Sequence, residues 1–396
     1  MYNEWTVDLM TSINTARDLE IKTSIQKLIK EWYELKLDKI NFPFIYGHTV
    51  IPAFNKAFDE EELMMLSEAC LDFTLCEGRF VKQFESRLAN FFNAECVIST
   101  ISEQMAFQTT FQLLNSYNFK KTCQPEIITT PFAPHYIMEQ GDFTPIIIDI
   151  EPDTYNMDTD LLQHAINQRT KAIFIHHTAG NPVNIQKVSE IAKNNNLLLI
   201  ESCFDSIGSK FKNQHVGTMS DIAVFGFGLN QQFTTGEGGA LFLNNENLRK
   251  MPVSNIKMTE MQASIGLAQL RKLPYFIEAR KRNFNILFDG LRSFQNVLCF
   301  PEKIDDSDPC WAYFPVVIKE NAAFKKDDLV EYLKNYNILT EPIIEMPETE
   351  LNWGTKNNTF GYISKNSFKL GIYPSISDEA LKFIISKITE FIINNN

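Results

Sequence analysis

Four stretches of the chain gather side chains that can move a proton or hold an anion. IFIHHTAGN (173–181) carries His176 and His177, LLLIESCFD (197–205) carries Ser202 and Asp205, and ISTISEQMA (98–106) carries Ser102 and Glu103. The fourth, FGFGLNQQFTTGEGGALF (225–242), sets Gln231 and Glu237 around a glycine-rich turn. Imidazole changes charge closest to neutral pH, so His176 and His177 are candidates for binding or proton transfer, against the plainer reading of satisfied loop histidines. Glu103, Asp205 and Glu237 offer carboxyls for an acid–base cluster, although Glu237 suits a structural turn as well. No metal site is expected. The seven cysteines are scattered, no CxxC occurs, and no Cys/His spacing would bring four ligands together. Reduced, mostly buried thiols are the simpler expectation.

The elements that must position these groups follow from hydrophobic pattern. Short apolar runs at 96–100, 126–130, 144–148, 172–176, 197–201, 222–227 and 239–243 read as buried strands. Helix-like segments such as 160–167 and 185–194 separate them, which predicts a mainly parallel sheet with helices on both faces. In such sheets ligands sit beyond the carboxyl ends of the strands, where all four stretches fall. Apolar spacing predicts an amphipathic helix over about 13–37, further helices at 59–71, 80–92 and 258–295, and an extended arm over 41–54. The last third offers strand, helix and strand at 312–318, 327–335 and 368–372, then a final helix at 377–393. The expected division is a helical arm (1–58), a large α/β domain (59–274) and a small C-terminal α+β domain (275–396).

Bulk composition narrows the function. A chain of 396 residues with 44% hydrophobic residues and 32 Phe can bury more than one core. A net charge of −12 argues against sequence-independent nucleic-acid binding, which needs a basic face. No run approaches the ~20 apolar residues that span a bilayer. The first residues, MYNEWTVDLM, lack a basic region followed by an apolar run, so a cytoplasmic protein is expected.

The segment 225–242 resembles the signature of the DegT/StrS-type sugar aminotransferases, with Thr234, Thr235, Gly236, Glu237, Gly238 and Gly239 in register. Within that family the chain is most similar to the PMP-dependent 3-dehydratases of nucleotide-linked 4-keto-6-deoxyhexoses. The similarity runs through 71–92, 149–158, 169–184, 208–227, 258–270 and 369–379. It implies a fold-type I, aspartate-aminotransferase-like α/β architecture, a seven-stranded sheet, and a nucleotide-sugar ligand. It also implies a dimer, formed with a second copy or with a paralogue.

Carried over by register, the resemblance places the Schiff-base lysine of the aminotransferases, and the histidine base of the dehydratases, on Gln231. A carboxamide supplies neither a nucleophile nor a base near neutrality. The acid that protonates the pyridine nitrogen falls on Ser202, and the matched Asp205 is not a substitute for it. The phosphate cup falls on Ser102 and on Glu103, where the family has glycine; its serine before the lysine loop falls on Gly226. Asn255 is the cup residue that persists, and Phe132 matches the ring-stacking aromatic. Glu341 stands where the branch has arginine. The loop 245–257 contains no cysteine, so an iron–sulfur cluster would have no ligands there. An ionised Glu103 ~4 Å from a phosphate, at an effective dielectric of ~20, would cost about 4 kcal/mol, or roughly a thousandfold in affinity.

These positions lead to the expectation that no PLP or PMP is bound and that its chemistry has been lost. The chain would then serve a lipopolysaccharide or polysaccharide pathway as a nucleotide-sugar-binding or partner subunit. Two alternatives stand beside this: PLP-independent acid–base chemistry through Glu103, Asp205 or His176, and a still active PMP-dependent dehydratase or aminotransferase.

Overall fold

The computed structural model describes residues 16–40, 44–117, 124–134, 137, 142–229, 231–253, 256–344 and 359–395. The predicted strands are all present, as β1 (Val97–Thr100), β2 (Glu126–Thr129), β3 (Thr144–Ile147), β4 (Thr170–His176), β5 (Leu198–Ser202), β8 (Ile222–Gly226) and β9 (Gly239–Leu243). A short hairpin, β6 (Lys210–Phe211) and β7 (Gln214–His215), intervenes. The seven strands form one sheet in the order β1-β9-β8-β5-β4-β2-β3, in which β9 alone runs against its neighbours.

Alternating side chains feed cores on both faces. Ile222 and Val224 of β8, with Ala172 and Phe174 of β4, pack against helix α4 (Glu103–Ser116). On the other face, Ala223 and Phe225 meet α3 (Arg79–Phe92) and α8 (Glu260–Leu291). Ile173 and Ile175 meet α6 (Ile185–Asn194). Strands covered on both sides have no polar face, and β4, β5, β8 and β9 are buried almost throughout. The remaining helices are α1 (Ala16–Ile40), α2 (Glu60–Leu71), α5 (Thr159–Ala165), α7 (Glu246–Arg249), α9 (Lys326–Asn335), α10 (Thr359–Asn366) and α11 (Asp378–Asn395).

The C-terminal third forms an antiparallel sheet of β10 (Leu298–Cys299), β12 (Phe314–Ile318) and β13 (Ser367–Leu370), covered by α9 and α11. A third small sheet joins β11 (Ser307–Asp308) to β6 and β7. Helix α8 runs unbroken across residues 274 and 275, with Pro274 inside it. Its first half packs on α2 and α3 and its second half on α11. The arm ends by pairing Ile51 with the smaller part, through hydrogen bonds to Asn337 and Leu339.

Two buried carboxylates fix α8 to the N-terminal helices. Glu260, 2% exposed, accepts hydrogen bonds from the backbone N–H groups of Gly78, Phe80 and Val81 at 2.8–3.0 Å. These are unsatisfied donors at the start of α3, where a carboxylate also meets the positive end of the helix dipole. A Cβ at Gly78 would lie 2.5 Å from that carboxylate, so the contact requires glycine. Glu62, fully buried in α2, receives Lys272 Nζ at 2.8 Å and Gln269 Nε2 at 2.6 Å from α8. No described helix is long and apolar enough to cross a membrane.

Candidate functional site

Parallel register brings the candidate groups to one rim. His176 ends β4 and lies opposite Ser202, the last residue of β5. Next along the rim, Gly226 ends β8 opposite Gly239, which in turn faces Thr100 of β1. Beyond Thr100 the chain turns into α4, capped by Ser102, whose hydroxyl accepts from Met105 N–H at 3.1 Å. Glu103 is therefore the first residue of α4, at a helix N-terminus that favours anions.

Glu103 and Gly226 fit each other by size. A Cβ at Gly226 would lie 2.5 Å from Glu103 Oε2 and 2.6 Å from the Phe204 ring. The Glu103 carboxyl thus occupies the space a side chain at 226 would need. Burial, then Asp205, then Glu237 push the Glu103 carboxyl up to about 7. It exchanges its proton at neutral pH and is not fixed as an anion.

His176 links two candidates. Its Nδ1 lies 3.0 Å from Ser202 Oγ and its Nε2 lies 3.5 Å from Asp205 Oδ2. Ser202 is fully buried and His176 is 8% exposed. Burial, then the Asp205 carboxylate, hold the Tyr313 phenol well above its usual value. Arg280, buried near Asp205 with Nη1 donating to Ala312 O at 2.8 Å, is pushed down by burial. The structure therefore brings Glu103, His176, Ser202, Asp205 and Gly226 together on one rim.

The neighbouring His177 belongs to the scaffold. Its Nδ1 accepts from Val183 N–H at 3.0 Å, so its proton sits on Nε2, 3.1 Å from Glu201 Oε2. Burial pushes Glu201 up, but hydrogen bonds from His177 and from Gly217 N–H at 2.9 Å leave it below its usual value. His177, Glu201 and Cys203 cluster closely enough to suggest metal ligands, yet both nitrogens of this imidazole are already committed.

The glycine-rich turn is likewise structural. Phe227 N–H donates to Gly238 O at 2.8 Å, Thr235 N–H to Phe227 O at 3.0 Å, and Gln262 Nε2 to Glu237 O at 2.9 Å. Glu237 is exposed, and Gly236 and Gly238 take positive φ of 86° and 146°. Gln231 sits half-buried on the loop that this turn anchors, while Gln232 is buried and reaches Cys310 O. Phe132 is buried edge-to-face against Phe360, with ring centroids 5.3 Å apart. Glu341 is neutralised by Lys369 at 3.1 Å. Asn255 lies outside the described residues. A surface cleft of about 630 Å³ bordered by Asp153, Lys187, Lys212 and Asp306 shares no residue with this rim.

The DegT/DnrJ/EryC1/StrS aminotransferase family matches residues 56–253 and 249–389. The chain belongs to that family. It is 32% identical to the lipopolysaccharide biosynthesis protein RfbH of Salmonella typhimurium, over 88% of this chain and 93% of the relative. It is 26% identical to a dTDP-4-dehydro-2,6-dideoxy-D-glucose 3-dehydratase of Saccharopolyspora spinosa, over 89% of each. The fold matches an E. coli GDP-4-keto-6-deoxy-D-mannose-3-dehydratase solved with bound hydrated PLP. That match has a TM-score of 0.78 and 22% identity, covering 86% of this chain and 100% of the other.

Membership corrects the expectation that no cofactor is bound. PLP or PMP is characteristic of the family, and the solved relative of the same fold carries it. The physical premise also fails, because it required Glu103 to be a permanent anion. With its carboxyl near 7, Glu103 can face phosphate as a neutral hydrogen-bond donor. Ser202 differs from a bare hydroxyl too, being backed by His176 and Asp205. The Ser102-capped start of α4, with Glu103 holding its proton, is compatible with a phosphate group.

Proposed function

We propose that this chain is a cytoplasmic, dimeric subunit of lipopolysaccharide or polysaccharide synthesis. It holds a nucleotide-linked deoxyhexose and a PLP- or PMP-type cofactor at the carboxyl ends of β4, β5 and β8. The cofactor is bound without a covalent link, and residue 231 takes no part in proton abstraction. Ser102, Glu103 and the start of α4 hold the phosphate, Phe132 borders the ring, and Ser202 faces the ring nitrogen. When bound, the pyridine ring supplies an electron-withdrawing system. The chain's own contribution is to bind, orient and exclude water. The observation that carries this reading is the preserved turn at Thr234–Gly239 anchoring a loop whose residue 231 is a carboxamide. The frame is kept and the proton-accepting base is missing.

Purified protein is mixed with PMP or PLP, desalted, and read by the cofactor's near-ultraviolet absorbance. A panel of GDP-, dTDP- and CDP-linked 4-keto-6-deoxyhexoses is then scored for thermal shift and, by mass spectrometry, for product. Retained cofactor and a raised Tm without turnover are expected, with product appearing in Gln231→His. Turnover by the unaltered protein, or no nucleotide sugar that raises Tm, overturns the reading.

A further inference from the structure

Helix α1 turns its cleaner apolar stripe outward. Towards α2 it presents Lys22, Ile25, Ile29 and Tyr33, all half-buried. Lys22 Nζ lies 3.2 Å from Asp72 Oδ1, and the Tyr33 hydroxyl reaches Phe58 O at 3.5 Å. On the solvent side, Ile21, Leu28, Trp32 and Leu35 are exposed. With Ile25 at the boundary they follow at alternating steps of four and three residues. That alternation is the seam of a coiled coil, whose side chains insert between those of a facing helix. A surface helix ordinarily turns such a stripe inward. A second apolar feature adjoins it. Asp72, which holds Lys22, is followed by Phe73, 85% exposed at a left-handed φ of 52°, and Leu75 is exposed close by. A bulky residue at positive φ is an outlier, and at this exposure its own chain does not account for it.

We propose that the outer stripe of α1 is the surface on which a second copy of this chain binds, α1 packing on the partner's α1 with Phe73 and Leu75 at the margin. This rests on the dimeric reading above and names where the two chains are held. Charge favours a copy of the chain over a lipid or nucleic-acid surface. The chain carries −12, which anionic surfaces repel. Residues 16–40, by contrast, hold six basic and five acidic side chains, so this helix is not repelled by its own copy or by an otherwise acidic body. Area agrees. Ile21, Leu28, Trp32, Leu35, Phe73 and Leu75, at roughly 60–120 Å² each, supply roughly half to nine-tenths of the ~800 Å² each partner gives a stable interface. A two-fold axis uses the same patch twice, so each substitution acts twice.

The test is analytical ultracentrifugation of the full chain. Leu28 and Leu35 are 63% and 76% exposed, so replacing them should leave each chain folded, which circular dichroism checks. The unaltered protein is expected to sediment as a dimer at micromolar concentration. Leu28→Glu with Leu35→Glu, and separately Leu28→Lys with Leu35→Lys, should each raise the dimer Kd a hundredfold or more. Mixing the two variants in equal amounts should restore the dimer, because opposite charges then meet across the seam. Variants that stay dimeric place the contact elsewhere; they overturn the proposal and leave the dimeric reading standing. Variants that separate but do not recover on mixing overturn the pairing of α1 with α1. So does flotation of the unaltered chain with phosphatidylglycerol vesicles that is lost in the glutamate variant, since the stripe would then serve a membrane. An unaltered protein that sediments as a monomer overturns both readings.

Discussion

Replacing Glu103 by glutamine keeps shape and volume but removes a charge, so it isolates what burial of that carboxyl costs. In the folded chain the group is raised from an ordinary 4.5 to about 7. An acid raised in this way favours folding in full below its unfolded value, and loses that contribution as pH climbs through its folded value. The window is therefore pH 4.5 to 7. At about 1.4 kcal/mol for each tenfold change, the group destabilises the folded chain by about 3 kcal/mol above pH 7, relative to a solvated glutamate. For a chain of 396 residues, unfolding entropy of ~2.1 cal/mol/K per residue converts this to roughly 4 °C in Tm. Differential scanning calorimetry of both proteins from pH 4.5 to 8.5 should show curves that nearly coincide at the acid end and separate by roughly 4 °C at pH 8, with Glu103→Gln the more stable. A constant gap, or a less stable variant at pH 8, would refute the burial argument.

Other outcomes follow from the same contacts. Gly226→Ser should cost about 1–3 kcal/mol in urea unfolding, because the new Cβ meets Glu103 and Phe204; Glu103→Gly should recover part of this, giving a coupling of about 1 kcal/mol or more. Lys272→Met leaves Glu62 buried with Gln269 as its remaining side-chain partner and should cost about 3–5 kcal/mol, measured by guanidinium denaturation. Glu260→Ala should cost about 2–3 kcal/mol by stranding three N–H groups of α3, with Glu260→Gln intermediate because one oxygen still serves Gly78 and Val81.

Much of the scaffold is legible because its periods are clean. The strand ending at Ser202 is a run of buried aliphatics, and Ile185–Asn194 has a 3.6-residue stripe and an asparagine cap, so both can be read directly. The hairpin at Lys210–His215 and its partner Ser307–Asp308 are two-residue strands, too short to carry a period. At the site, register locates Gln231, Ser202, Glu103 and Gly226 one at a time. It does not show that Glu103 fills the space beside Gly226, or that His176 stands behind Ser202. Those relations join residues 123 and 26 positions apart, and only the sheet order brings them together. Glu103 standing where the family has glycine, and Gly226 where it has serine, are opposite size changes at two positions that meet in space, and that pairing was the available signal. Read singly, each substitution points only to loss of the cofactor.

The carboxylate of Glu260 caps a helix that begins at Arg79, across 182 residues from Gly78 and 179 from Val81. On the ribosome, α3 emerges long before the group that satisfies its first turn. Its apolar face, with Phe80, Phe84 and Phe92, must wait for α8 as well. The nascent chain therefore carries an open, sticky helix through nearly half of its synthesis, a state in which chaperone capture competes with aggregation. A chain interrupted before residue 260 should accumulate in inclusion bodies, whereas one released after α8 has the means to close.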